Sequence, residues 1–105
     1  MSFPEYKLEL SKEADNDFES ILIYTFNSWG KQQLLSYRTE LKNALHFIRS
    51  NPLLGQRHPE LPDGYRYWRG GSHIIVYRLE KDIVFVLRIL HGRMNIAAHI
   101  TEKPH

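Results

Sequence analysis

Cysteine is absent from this chain of 105 residues. Disulfides and thiolate metal sites are therefore excluded, and a reducing compartment suits the composition. Long apolar runs are missing too. The longest, Ile83–Leu87, is far below the roughly 18 residues that suggest a membrane helix. Met1-Ser2-Phe3-Pro4 has neither a basic nor an apolar opening, so no secretory signal is expected and the cytoplasm is the expected location. Metal-binding patterns are equally scarce. There is no His-Glu-x-x-His, and His91 and His99 lie on segments with no shared helical spacing, so neither a metal nor any other cofactor is expected. Gly70-Gly71 lacks the following Lys-Ser/Thr of a phosphate loop and is read as a turn. Ser72-His73 alternates across a strand, which separates the two side chains and argues against a nucleophilic dyad.

What is present describes one ordinary globular domain over residues 1–105, with 93–105 as a C-terminal tail: 42% hydrophobic, 25% charged and 12% aromatic residues. The net charge of +2 hides an asymmetry. Residues 1–48 hold five Lys/Arg against seven Asp/Glu, and residues 49–105 hold nine against five. The basic second half favours an anionic partner, either an acidic protein surface or nucleic acid.

Tyr6-Lys7-Leu8-Glu9-Leu10 alternates with the period of a half-buried strand. Ser11 is placed as a helix N-cap, with Glu13 and Asp15 in the first turn where the helix dipole favours them. Ala14, Phe18, Ile21, Leu22 and Thr25 form one apolar stripe, and Gly30 ends the helix. A second helix runs from about Lys31 to Ser50, with Leu34, Tyr37, Leu41, Leu45 and Ile48 on one face and Asn51-Pro52 stopping it. The prolines and glycines of 51–64 make a loop. Strands follow at Tyr65–Arg69, His73–Glu80 and Ile83–His91, turning at Gly70-Gly71 and Lys81-Asp82. The order β-α-α-β-β-β predicts an α+β fold, an antiparallel sheet packed on an N-terminal helix hairpin.

Those turns predict the register. Trp68 opposes His73 and Tyr67 opposes Ile74; Tyr77 opposes Val86 and Ile75 opposes Arg88. Opposed residues share a face. Tyr65, Tyr67, Ile74, Val76, Phe85, Leu87 and Ile89 are then expected to floor the helix hairpin, with Arg78 and His91 at its margins. The other face collects Arg66, Trp68, His73, Ile75, Tyr77, Leu79, Val84, Val86, Arg88 and Leu90. With both helices spent, that face is expected to stand open for a protein partner. Coverage by the 51–64 loop or the tail, or contact with RNA, are the alternatives. Arg66, His73, Tyr77 and Arg88 on one concave face also have the chemistry for acid–base and phosphate-stabilising cleavage of RNA.

Several segments resemble the ParE toxins of bacterial type II toxin–antitoxin systems. They are Gly64-Tyr65-Arg66, the run from Gly71 to Arg78, and Val86-Leu87-Arg88-Ile89-Leu90-His91-Gly92-Arg93-Met94-Asn95. Leu10–Ala14 and Asn51-Pro52-Leu53-Leu54-Gly55 are similar too, so the resemblance spans about residues 5–100. It implies the RelE/ParE fold, a ParD-like antitoxin, and inhibition of DNA gyrase by binding. No membrane partner is expected, nor sequence-specific DNA binding by the toxin alone. The alternative is a RelE-like ribosome-dependent mRNA endonuclease, for which Arg66, Tyr77, Arg88 and His91 are the candidate groups. Such relatives often carry basic residues and a tyrosine just beyond the last strand. Here His91–Ala98 supplies Arg93 but no lysine or tyrosine. Arg88, His91, Arg93 and Met94 are the expected target contacts, and Trp68, Ile75, Tyr77 and Val86 the expected antitoxin contacts.

Overall fold

The computed structural model describes residues 5–92 and 96–100. Along the chain come β1 (Lys7–Leu10), α1 (Lys12–Trp29), α2 (Lys31–Ser50), β2 (Tyr65–Gly70), β3 (His73–Glu80), β4 (Ile83–His91) and α3 (Ile96–His99). Ser11 caps α1 as expected: its hydroxyl oxygen accepts from Ala14 N at 2.9 Å and its hydroxyl donates to Leu87 O at 2.6 Å. Gly30, at φ +87°, makes the corner between the helices, a conformation open chiefly to glycine. Tyr37, Leu41, Ala44, Leu45 and Ile48 are buried along α2.

The α+β class is as expected, and β1 adds a parallel strand to it. The sheet order is β1-β4-β3-β2, with β1 parallel to β4 and the other pairs antiparallel. The helix hairpin supplies the long connection that a parallel partner needs.

Two register details differ from expectation. The first hairpin turns about Gly71-Ser72, so Gly70 pairs His73 and Trp68 pairs Ile75. Gly71 takes φ +60° at the first central position, the type II′ requirement, and Ser72 needs no positive φ. This shift leaves every residue on its face. The second hairpin begins as expected, with Leu79 opposite Val84 and Tyr77 opposite Val86. A bulge then intervenes: Val76 pairs Arg88 and Ile75 pairs Ile89, which leaves Leu87 as the extra residue. Past the bulge the alternation of β4 is inverted, so Ile89 and Leu90 exchange faces.

The larger correction is which face the helices cover. They pack on Ile75, Tyr77, Val84, Val86 and Ile89, with Trp68, Leu79, Leu8 and Leu10 around them. Tyr65, Ile74, Val76 and Leu90 form the outer face, closed by Leu61 and Ile96 with Tyr67, Leu87 and Ile100 alongside. Both faces of β3 are apolar, so composition leaves the choice open; close approach decides it. A Cβ on Gly70 would lie 2.9 Å from Ala44 Cβ, so the glycine–alanine contact lets α2 settle on this side. The loop and α3 do cover a face, but it is the outer one. Ile75, Tyr77 and Val86 are 0% exposed, and Trp68 is half-buried against Phe47, with ring centroids 4.6 Å apart. The exposure on which their assignment to antitoxin binding rested is therefore absent.

Tyr77 ties the 51–64 loop to this core. Its hydroxyl donates to Pro52 O at 2.8 Å, and a Cβ on Gly55 would meet that hydroxyl at 2.0 Å. The loop also caps the sheet edge: Gln56 and Tyr67 exchange two backbone hydrogen bonds of 2.8 Å.

Candidate functional site

β1 accompanies β4 only as far as Val86. Beyond it, the start of α1 serves the exposed backbone of β4. Ser11 N donates to Val86 O at 2.8 Å, and Ser11 Oγ takes up Leu87 O. Asp17 then does two things. Its carboxylate receives Arg88 Nε at 2.8 Å and Arg88 Nη2 at 3.0 Å, and it also accepts Ile89 N at 3.0 Å. This fork geometry is the strong form of an ion pair. The bond to Asp17 pushes Arg88 above its ordinary value, outweighing a smaller opposing effect of burial. Arg88 is thus a clasp between β4 and α1, its acidic partner lying within its own chain.

Above this clasp a cleft of about 320 Å³ opens between α1 and the ends of β3 and β4, with Tyr24, His73, Ile89 and His91 among its lining residues. His73 and His91 oppose one another across the strands, ring centroids 5.5 Å apart. Tyr37 reaches in from α2. Its hydroxyl oxygen accepts Ser72 N at 2.9 Å and also bonds His73 Nδ1. Burial lowers the pKa of His73 first, and the neighbouring His91 lowers it further. Burial raises the pKa of Tyr37. At neutral pH this corner holds a neutral imidazole and a neutral phenol.

The expected residues are distributed unevenly around it. Arg88 and His91 share the cleft, while Arg93 and Met94 lie outside the described residues. The ribonuclease set does not converge. Arg66 pairs with Tyr77, four residues along β3 from the His73–His91 pair, a separation of about 13 Å. Arg66 Nη1 donates to Gly55 O at 2.9 Å and Tyr77 is sealed in the core. Sequence reasoning missed Tyr37 and Asp17. Tyr37 was placed on the buried face of its helix, correctly, but its hydroxyl was not given a partner. Asp17 did leave a signal: an acid between Ala14 and Ile21 interrupts an apolar stripe and demands a cation.

A second surface lies on the opposite side of the helix hairpin. Ile23, Phe26 and Leu35 are 54%, 50% and 46% exposed. With Phe18, Leu22 and Leu34 they line a groove of about 560 Å³ whose rim carries Arg38, Lys42 and Glu19. An apolar surface of this kind on a lone domain marks an interaction site.

Comparison with known proteins decides the family. Residues 8–96 match the model for the ParE toxin of the type II toxin–antitoxin system parDE. The chain belongs to the ParE toxin family. It is similar to Toxin ParE1 of Caulobacter vibrioides, 35% identical over 91 residues, which spans 87% of this chain and 94% of that one. The fold is similar to that of a chromosomal ParDE system from P. aeruginosa, with a TM-score of 0.73 at 15% identity over 85% of this chain and 98% of that one. It is also similar to the RelBE2 toxin–antitoxin complex of Mycobacterium tuberculosis, with a TM-score of 0.56 at 18% identity over 83% and 98%. This ParE-family chain carries both surfaces, cleft and groove. Among the described residues of this ParE-family chain no helix is long and apolar enough to cross a membrane.

Proposed function

We propose that this ParE-family toxin arrests DNA gyrase in the cytoplasm by binding it, and that a ParD-like antitoxin neutralises it. The resemblance implies the target; one structural observation supports binding over RNA cleavage. Three of the four groups named for RNA cleavage are already engaged internally: Arg66 with Gly55 O, Tyr77 with Pro52 O and Arg88 with Asp17. A general acid or base must reach its substrate, and Tyr77 is fully buried. The contact set assigned to the target is His91 with Arg93 and Met94, next to Arg88, which holds the end of β4 in place.

The antitoxin is assigned to the groove of the helix hairpin, in place of the buried sheet residues. An amphipathic segment with apolar anchors fits between α1 and α2, and its acidic groups would face Arg38 and Lys42. A disordered segment that folds there recovers its ordering entropy through the apolar area it buries.

The purified chain, added to a gyrase supercoiling reaction, is expected to block supercoiling while leaving mRNA on programmed ribosomes intact. Cuts in the message with supercoiling unimpaired would reverse the reading in favour of the endonuclease. Replacing His91, Arg93 and Met94 by alanine together is expected to weaken inhibition roughly thirtyfold or more, the effect of one interface residue worth about 2 kcal/mol. Leu35→Asp is expected to relieve neutralisation by the antitoxin without touching supercoiling inhibition.

A further inference from the structure

The two helices of the hairpin carry charge of opposite sign. Six of the seven acids in residues 1–48 lie before α2, which holds Glu40 alone. Against Glu40 stand Lys31, Arg38, Lys42 and Arg49. Steps of seven, four and seven residues, at about 100° each, keep these four cations within about 40° of one another around the helix. All four are exposed. Glu40 sits on the far side of the helix, where its charge is felt at the hydroxyl of buried Tyr37.

Among the described residues no ion pair engages any of the four. Arg38 and Lys42, four residues apart, repel one another, which weakens a helix. An anion outside the chain is the group that relieves them. From Lys31 to Arg49 the stripe runs about 27 Å, a length over which one strand of a duplex presents about eight phosphates. Gln32, Asn43 and Ser50 border it on the side away from the groove, exposed neutral groups of the kind that join Arg and Lys on phosphate oxygens. The exposed anchors that a protein partner would seek, Ile23 and Phe26, belong to α1. B-form DNA sets its phosphates along a groove about 12 Å wide that admits a helix, whereas the deep groove of duplex RNA is too narrow. Glu13, Asp15 and Glu19 are exposed on α1, so the field of the hairpin turns α1 away from a polyanion and α2 towards it.

We infer that the solvent face of α2 binds the phosphate backbone of double-stranded DNA, without reading its sequence, through Lys31, Arg38, Lys42 and Arg49. Arg38 and Lys42 also rim the groove, so DNA competes for them with whatever occupies it. The inference concerns the chain alone and needs neither gyrase nor antitoxin.

The test follows the anisotropy of a short labelled duplex as the full-length, untagged chain is added at stepped salt, for two unrelated sequences. Four phosphate contacts are expected to give log affinity a slope of about −3.6 against log salt, equal for both sequences. Arg38→Gln with Lys42→Gln is expected to make that slope shallower by about 1.8. The urea midpoint of this double variant is expected not to fall, because a repulsive pair has been removed. Lys7→Gln, on β1, is expected to leave the slope unchanged. Duplex RNA of the same length is expected to bind roughly tenfold more weakly. An unchanged slope in the double variant, an equal loss from Lys7→Gln, RNA bound as tightly as DNA, or no binding at low salt would each overturn the proposal. Gyrase is absent throughout, so this result and the gyrase reading fail separately.

Discussion

The two faces of the sheet are both apolar but are closed by unequal means. Beneath the helix hairpin, Ile75, Tyr77, Val84 and Val86 are fully buried under two long helices. On the outer face, Ile74, Val76 and Leu90 are covered by one loop leucine and the four-residue α3. Nearly the same depth of burial is reached from a thick cover and from a thin one. The difference teaches that an apolar strand face states that it is covered, and leaves unsaid by what.

Truncations on the two faces sharpen this contrast. Ile75→Ala leaves a cavity that the helix layer cannot collapse into, and is expected to cost about 2–5 kcal/mol in urea unfolding. Asp17→Ala, at the clasp, strands Arg88 and the Ile89 N–H together and is expected to cost about 1.5–3 kcal/mol. Ile96→Ala on the outer face is expected to cost no more than about 2 kcal/mol, because a short terminal helix can relax into the gap. An Ile96 effect equal to that of Ile75 would break the contrast. Tyr77→Phe removes the bond to Pro52 O and is expected to cost about 0.5–1.5 kcal/mol. It should also make Gly55→Ala less damaging than in the native background, which a double-mutant cycle reads directly.

The smallest expected effect is a pH dependence. The folded pKa of His73 is depressed by burial and by His91, so the unfolded chain binds its proton more readily. Stability from this group is complete above the ordinary imidazole value of about 6.5. It declines as pH falls through that value and levels off below the depressed one. His73→Gln is expected to flatten this part of the stability profile in denaturant titrations at stepped pH.

Much of the fold was legible because its signals are local. Ser11 capped α1, Gly30 broke the helices, Pro52 ended α2, and the three-four spacing of Leu41, Leu45 and Ile48 named the buried stripe. The second hairpin's register followed from its turn as far as Tyr77 and Val86. Three things were not legible, each for a physical reason. The helix-covered face was hidden because β3 is apolar on both sides, and the deciding contact, Gly70 on Ala44, joins residues far apart in sequence. The bulge was hidden because four of the five residues of Val86–Leu90 are apolar, with no glycine or proline to mark the extra position. The site was half-visible: His91 and Arg88 were named, whereas Tyr37 and Asp17 act through partners that only the tertiary fold supplies.

Leu87, the surplus residue of β4, has a consequence for divergence within the family. Strand pairs before it answer to the core, since Val84 and Val86 cannot change without disturbing the hairpin's packing. Those after it take their facing from the extra residue, so gaining or losing one position there would turn His91 to the other face. Such a slip would also turn Ile89 out of the helix-covered core and Leu90 out of the outer one, so the two cores together hold the surplus residue in place and fix where His91 points.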